Sequence, residues 1–241
     1  MGAQWKHAGK ISNASKRGAV ISKMAKEIAI AAKGGADPNY NAKLRIAVEA
    51  AKKQSVPRDV IERAIKKGAG LLEGVSYELV VYEGFAPHQV PLIVECMTDN
   101  KNRTAADIRV LFRKAQLGAS GSVGWMFDRM GIIEATHANT SLDLEGAAIE
   151  AGAQNVEKLE EAQKDEDGNL LLGGRFFSDP TDLDTVRTAL QNAGWNVTMS
   201  ELGYIPKNYV ELSEEQLKEV TEFLQTVDDN DDVHRVYAAI K

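Results

Sequence analysis

The amino-acid sequence predicts an α+β multidomain protein, in which an N-terminal three-helix bundle is followed by two small α/β sandwich domains. Short segments with a helical spacing of apolar residues occupy the first 70 positions, and alternating strand and helix patterns occupy the rest. The chain has 241 residues, of which 44% are hydrophobic and 27% charged, as expected for two or three folded domains.

The bundle is predicted to span residues 1–74. Its first helix covers KRGAVISKMAKEIAIAAKGG, where apolar residues recur with helical spacing and two glycines end the segment. The second helix, NAKLRIAVEAAKKQ, follows a capping Asn39 or Asn41, and Pro57 opens the third, RDVIERAIKKG. Residues before about 18 lack this periodicity and are predicted to form a mobile arm.

Two α/β domains are predicted to follow the bundle. Residues 75–130 have the pattern of two strands, a helix that Asn102 caps, and a third strand over SVGWMFD. Residues 131–205 have the order strand, helix, strand, strand, helix, strand, which is the ferredoxin-like βαββαβ arrangement. Residues 206–241 supply a helix and a strand that rejoin the 75–130 domain, so the acidic 131–205 domain is predicted to be an insertion.

The distribution of charge is uneven along the chain. Residues 1–70 contain 15 basic and 5 acidic side chains, a net charge of +10, although the whole chain carries −6. The remaining 171 residues therefore carry −16. Such a division predicts a basic module that binds a polyanion, joined to an acidic body.

The sequence contains no residue pattern that indicates catalysis or a cofactor. The four histidines lie far apart, no phosphate-binding glycine motif precedes a helix, and the glycines of GASGSVG precede a predicted strand. Asp228, Asn230 and Asp232 resemble the start of a calcium loop, but the required glycine and the final glutamate are missing. We interpret these acidic residues as a solvated turn. The sequence thus predicts a protein that is not an enzyme and needs no cofactor, metal or small-molecule substrate.

The chain contains neither an apolar run long enough for a membrane span nor the apolar segment of a signal peptide. Its single cysteine, Cys96, lies in the apolar run VPLIVECM and is predicted to be buried. These features predict a soluble cytoplasmic protein without a membrane partner.

Candidate nucleic-acid contacts are concentrated in the basic segment, where ammonium and guanidinium groups can displace counterions from phosphates. Trp5 is predicted to stack on an unpaired base. The basic candidates taken from this segment are Lys6, Lys10, Lys16, Arg17, Lys23, Lys26, Lys66 and Lys67. The alternative interpretation is that lysines only solvate the helix faces.

A second candidate is the turn DNKNRT at residues 99–104. A helix that starts here exposes backbone N–H groups suited to a phosphate, with basic side chains nearby. The candidate residues are Asn100, Asn102, Arg103 and Arg109. A polar turn with a helix cap would explain most of the same residues.

Five motifs in this order (KRGAVISKMAKEI, IERAIKKGAG, YEGFAP, VECMTDNKNRT and GSVGWMFDRMG) resemble the YebC family of bacteria and organelles. Mitochondrial members of that family are known as translational activators of cytochrome oxidase. The resemblance implies three domains, no catalytic activity and no cofactor. Two departures, GAQWKH at the start and Ala86-Pro87-His88-Gln89 in place of Gly-Pro-Gly-Gly, indicate a divergent paralogue.

Three functions remain open from the sequence. The resemblance implies a DNA-binding transcriptional regulator, or an RNA-binding translation factor that associates with the ribosome and relieves stalling. The lysine-rich helices offer phosphate contacts but little base-reading chemistry, which mildly favours RNA. The third hypothesis is an adaptor whose acidic domains bind protein partners while the basic segment serves as a tether.

Overall fold

The computed structural model describes residues 13–159, 163–165 and 167–240, with side chains from residue 17 onward. These residues form two compact units. One unit is Arg129–Gly203, and the other combines the described residues before Arg129 with those after Gly203. Each unit combines helices with a sheet of antiparallel strands, which confirms the predicted α+β fold class. The three predicted domain boundaries remain a prediction.

Three amphipathic helices form the N-terminal bundle: α1 (Asn13–Ala32), α2 (Ala42–Lys53) and α3 (Arg58–Gly68). Their apolar faces meet in one core, which includes Ile28, Ala32, Leu44, Ala47, Val48, Ala51, Ile61 and Ala64. The predicted mobile arm is wrong for residues 13–17, because α1 already begins at Asn13. A helix extends one residue at a time from a packed turn, so residues without an apolar pattern can lengthen it.

One side chain forms the joint between α1 and α2. The Asn41 amide nitrogen donates to the carbonyls of Ala31 and Gly35, at 2.8 and 2.9 Å, where α1 ends. Its amide oxygen accepts the Leu44 N–H at 3.1 Å and so caps the start of α2. Asn41, rather than Asn39, is therefore the capping residue, and it also satisfies backbone groups of the preceding helix.

Helices α1 and α3 approach each other closely at a glycine. A Cβ atom built on Gly68 would lie 2.1 Å from the carbonyl oxygen of Ala29. The backbones can pass at this distance only because Gly68 has no side chain. The last residue of α3 is therefore a packing position.

The first sheet has the strand order β3-β1-β2-β9 and is antiparallel throughout. Helices α4 and α7 pack on one of its faces over a core that contains Val94, Ile108 and Leu224. Strand β9, near the C-terminal end, pairs with β2 and so belongs to the same sheet as β1 and β2. These elements are β1 (Glu78–Ala86), β2 (Val90–Thr98), α4 (Lys101–Leu111), β3 (Gln116–Leu117), α7 (Glu214–Asp228) and β9 (Val233–Ala238).

The turn between β1 and β2 has a backbone conformation that is usual for glycine, although it contains no glycine. His88 and Gln89 both lie in the left-handed region, with φ values of 61° and 60°. Only glycine adopts this region without cost. The His88 Nε2 atom lies 2.8 Å from the carboxylate of Glu219 on α7. The turn therefore has a glycine-type conformation although it carries two bulky polar residues.

The unit Arg129–Gly203 has the predicted ferredoxin-like topology. Its sheet order is β5-β7-β4-β8, with the short β6 paired to β7, so the second and third main strands form a hairpin beside the first. Phe176 and Trp195 meet edge to face at 5.1 Å between centroids. The elements are β4 (Phe127–His137), α5 (Leu144–Ala151), β5 (Asn155–Lys158), β6 (Gln163–Lys164), β7 (Leu170–Ser178), α6 (Leu183–Asn192) and β8 (Asn196–Pro206).

Candidate nucleic-acid interface

The outer face of α3 carries two exposed cations. Ile61 and Ala64, each 6% exposed, turn the opposite face of the helix into the bundle core and thereby direct Arg63 and Lys66 to solvent. Neither cation has an ion-pair partner among the described residues. Arg58, at the start of the helix, is instead paired with Glu62 at 2.7 Å. Arg63 and Lys66 are therefore the α3 cations that are available to an external anion.

Lysines also occupy the last turns of α2 and α3, where they complement the partial negative charge of a helix C-terminus. Lys52 is exposed, whereas Lys67 is half-buried with its ammonium group 5.7 Å from the ring centre of Tyr77. Lys26 lies 5.7 Å from the same ring. Lys67 thus has an internal partner, and Lys66 beside it is the more accessible of the two predicted residues.

Two other predicted cations on α1 form contacts within the protein. Lys23 donates to the Asp228 carbonyl at 3.0 Å, and its ammonium lies 3.8 Å from the Asp228 carboxylate. Lys26 donates to the Asp232 carboxylate at 3.1 Å and to the Asp231 carbonyl at 2.9 Å. These contacts connect α1 to the turn between α7 and β9, and they compensate the two positive charges locally.

The predicted DNKNRT turn forms the start of α4. Asn100, not Asn102, is the capping residue: its side-chain oxygen accepts the Arg103 N–H at 3.1 Å. The Arg103 guanidinium binds Asp99 at 2.8 Å and Asp232 at 2.9 Å. The structure therefore gives Asn100 and Arg103 intramolecular roles at the site where the sequence suggested a phosphate.

Asp232 is buried, so the interpretation of its segment as a solvated turn is wrong for this residue. It is 6% exposed and accepts hydrogen bonds from Lys26, Arg103 and Thr104. Burial works to raise the pKa of this carboxyl, but the hydrogen bonds from Arg103, Thr104 and Lys26 outweigh it and hold the pKa of Asp232 below its usual value. We call these four residues the Asp232 cluster.

The outer face of α4 presents predicted residues that lie outside this cluster. Asn102 and Arg109 are exposed, and they are seven residues apart on the helix, so they lie on one face. Arg113 and Lys114 follow in a short 3₁₀ turn and are exposed as well. Arg109 and Arg113 have no ion-pair partner within the described part of the chain, and they add a second cationic surface.

The structure also places an organised loop where a strand over SVGWMFD was predicted. Residues 124–126 form a 3₁₀ turn, and β4 starts only at Phe127. The Glu83 carboxylate accepts backbone N–H groups of Gly121, Val123 and Gly124 at 2.7 to 2.8 Å. These N–H groups bond to a carboxylate rather than to a neighbouring strand, which explains why the strand does not form here.

Trp125 extends from this loop and is 66% exposed. It is not among the residues predicted from the sequence, although it lies within the GSVGWMFDRMG motif. The sequence feature that could have pointed to this residue is a tryptophan that directly follows a glycine in a glycine-containing segment. Its exposure could not be deduced from the sequence, because the loop conformation depends on Glu83, which lies 38 residues before Gly121.

The remaining predicted residues are only partly covered by the structure. Trp5, Lys6 and Lys10 lie outside the described residues. Lys16 is within α1, but its side chain is not described, whereas Arg17 is exposed on that helix. Nucleic-acid contacts by these residues therefore stay a prediction.

Two further properties concern only the part of the chain that the structure describes. No helix there combines the length and the apolar character needed to cross a membrane. No cluster of three or more histidine, cysteine, aspartate or glutamate side chains there is arranged to hold a metal ion.

Comparison with known proteins identifies relatives along the whole chain. Residues 2–71 match the family model described as the TACO1/YebC protein N-terminal domain, and residues 77–240 match the TACO1/YebC second and third domain. A protein of Pseudomonas savastanoi pv. phaseolicola named "Probable transcriptional regulatory protein" is 53% identical, and the alignment covers 100% of this chain and 99% of that protein. A protein of Bdellovibrio bacteriovorus with the same descriptive name is 52% identical over 100% of both chains.

A solved structure shows the same similarity in three dimensions. The crystal structure of a conserved hypothetical protein from Aquifex aeolicus matches with a TM-score of 0.83 and 36% sequence identity. The match covers 99% of this chain and 96% of that protein. Sequence motifs, family models and three-dimensional fold thus agree, and the chain belongs to the TACO1/YebC family.

Proposed function

We propose that this chain is a non-enzymatic regulator of gene expression that acts in the cytoplasm by binding nucleic acid. The observation that carries the proposal is the pair of exposed cations on α3, Arg63 and Lys66, which have no ion-pair partner among the described residues. The exposed Arg109 and Arg113 near the end of α4 extend the cationic surface. Each such group that meets a phosphate releases condensed counterions.

Duplex DNA is the first candidate ligand, because the relatives are named as probable transcriptional regulatory proteins. In this function, α3 would lie along the phosphate backbone. Glutamine and asparagine are absent from α3, whose sequence is RDVIERAIKKG. The face thus contributes mainly to affinity rather than to base recognition.

RNA in a ribosomal particle is the second candidate, and the absence of glutamine and asparagine from α3 favours it. A cationic face such as that of Arg63 and Lys66 recognises phosphates in either nucleic acid, and structured RNA offers them at a surface that needs no sequence-specific reader. A translation factor that relieves stalling would use this face for ribosomal RNA.

The double variant Arg63→Ala/Lys66→Ala tests the proposal. We expect weaker binding to both duplex DNA and RNA, and a slope of log affinity against log salt that is shallower by about 0.7 to 0.9 for each phosphate that the variant no longer neutralises. Lys218→Ala is the matched control, because Lys218 is an exposed lysine on the acidic helix α7 and should leave both values unchanged. Unchanged affinity and salt slope in the double variant would contradict the proposal.

Sedimentation of a lysate distinguishes the two ligands. Comigration of the tagged full chain with ribosomal particles, abolished by high salt or ribonuclease, would support the translational function. A chain that stays at the top of the gradient but retards duplex DNA in a gel would support the transcriptional function.

A further inference from the structure

Trp125 differs from the other tryptophan that the structure describes. Trp195 is 3% exposed and packs against Phe176, whereas Trp125 is 66% exposed on the loop that precedes β4. An indole ring is among the largest apolar surfaces that a side chain offers, and rings of this kind dominate the energetics of binding interfaces. The ring of Trp125 is therefore accessible to a ligand.

The loop holds this indole in a fixed position. Val123 and Phe127, on either side of the turn, are 0% and 5% exposed and anchor it in a small apolar cluster. The Glu83 carboxylate binds three backbone N–H groups of the loop, and the Lys207 N–H donates to the Met126 carbonyl at 2.9 Å. A side chain that is already ordered loses less entropy on binding than a mobile one.

The polar group of the indole is satisfied within the loop. The Trp125 Nε1–H donates to the Ser122 carbonyl at 3.2 Å. A ligand therefore does not need to supply a hydrogen-bond acceptor, and the exposed part of the ring offers its π surface. That chemistry suits a flat, apolar, aromatic ligand.

A cationic side chain lies next to the loop. Lys207 is held there by the backbone bond to Met126, and its ammonium lies 3.3 Å from the Asp128 carboxylate, with both side chains about half exposed. This ammonium is accessible to a phosphate beside a base that is stacked on the ring.

We propose that Trp125 is the stacking surface for an unpaired nucleobase in single-stranded RNA or DNA. This inference rests on the proposed nucleic-acid binding and adds the ligand class. Base stacking on an aromatic side chain tolerates any sequence, because every base has a π face. A duplex cannot use the site without unpairing, because its bases are stacked on one another.

The test uses the full chain and a fluorescein-labelled oligonucleotide of mixed sequence, about 20 nucleotides long so that it extends beyond the site size of one binding module. The probe is used as single-stranded RNA, as single-stranded DNA and as DNA duplex. We expect Trp125→Ala to weaken binding of both single strands about 5- to 150-fold, the range given by removal of one stacked base. Duplex affinity and the salt slope should not change, because the substitution removes no cationic group.

Two further variants control for folding and for general loss of aromatic surface. Trp125→Phe keeps a ring and should retain most of the affinity for single strands. Tyr40→Ala removes another exposed aromatic side chain, 92% exposed between α1 and α2, and should have no effect. An equal reduction in the affinity for single strands and for duplex in Trp125→Ala would overturn the stacking proposal. An unchanged affinity for both would also overturn it, and would leave Trp125 available as a protein contact.

Failure of this inference is distinguishable from failure of the proposed function. Wild-type chain that binds no nucleic acid at any salt concentration would contradict the nucleic-acid function itself. A different set of results would contradict only the stacking site. In that case the wild-type chain binds with a steep salt slope, and Arg63→Ala/Lys66→Ala reduces that slope. Trp125→Ala, however, leaves both the slope and the affinity unchanged for every probe.

Discussion

Lys26 on α1 and Asp232 before β9 form an ion pair with 3.1 Å between the ammonium nitrogen and a carboxylate oxygen, although 206 residues separate them in the chain. The other carboxylate oxygen of Asp232 accepts Arg103 and Thr104 at 2.9 Å each. One buried carboxylate thus holds together the helical bundle, the start of α4 and the turn before the last strand. Its partners include two residues that the sequence suggested for phosphate binding.

Replacing Asp232 with alanine is expected to lower the free energy of unfolding by about 1 to 3 kcal/mol, because the largely buried Lys26 loses its carboxylate partner, whereas Arg103 is half exposed and keeps Asp99. Urea denaturation followed by circular dichroism measures this change. Asp231→Ala is the control, because Asp231 is exposed and contacts Lys26 only through its backbone carbonyl, which alanine retains. Equal stability of the two variants would show that the Asp232 cluster contributes little.

The environment of Glu27 is expected to make the protein less stable in acid. Burial opposes its ionisation, but the Arg235 guanidinium and the His234 ring outweigh that effect and lower the pKa of Glu27 from 4.5 to about 2. Between these values the unfolded chain holds more protons than the folded chain, so stability rises with pH. The contribution is complete above about pH 5 and is lost as the pH falls towards 2, with a size on the order of 3 kcal/mol.

Denaturation of wild type and Glu27→Gln across this pH range tests the expectation. The difference in unfolding free energy between them should be largest at neutral pH and should shrink below about pH 4. Glu62→Gln is the control, because Glu62 forms an exposed pair with Arg58 and should change stability by less than about 1 kcal/mol. A constant difference at every pH would rule out Glu27 as the source.

Replacement of glycine by alanine is expected to change stability in opposite directions at Gly68 and at Gly18. Gly68→Ala places a methyl group against the Ala29 carbonyl and should cost about 1 to 3 kcal/mol, even though alanine favours helices. Gly18 is exposed on α1, and a Cβ added there would meet no atom within 4 Å outside its own helix turn, so Gly18→Ala should raise stability by up to about 1 kcal/mol. Thermal unfolding compares the two. Stabilisation by both substitutions would show that α1 and α3 can separate here without cost.

Gln89 is expected to carry backbone strain that glycine would relieve. Its φ of 60° costs a non-glycine residue about 1 to 2 kcal/mol, whereas the extra freedom of glycine in the unfolded chain costs about 0.4 to 1 kcal/mol. Gln89→Gly should therefore raise the melting temperature slightly. Gln54→Gly, at a position with φ of −82°, should lower it, since no strain is relieved there. A lower melting temperature for both variants would contradict the strain.

Features that depend on nearby residues could be predicted from the sequence, whereas those that depend on distant residues could not. The periodic apolar residues of α2 and α3 predicted the helices, and the order of strand and helix patterns predicted the ferredoxin-like unit. The conformation of the loop with Trp125 depends on Glu83, from another strand. The charges of Lys23 and Lys26 are compensated by acidic residues more than 200 positions away. A count of charges along the chain cannot detect such pairing.

The docking of α1 onto Asp228 and Asp232 also has a consequence during protein synthesis. The partners are 205 and 206 residues apart, and a ribosome that adds about 5 to 20 residues per second needs roughly 10 to 40 s to cover that distance. Throughout this interval Lys23 and Lys26 of the nascent chain lack these acidic partners. The cationic character of the N-terminal segment is therefore greatest while the chain is still attached to the ribosome, and it decreases once the last strand has been made.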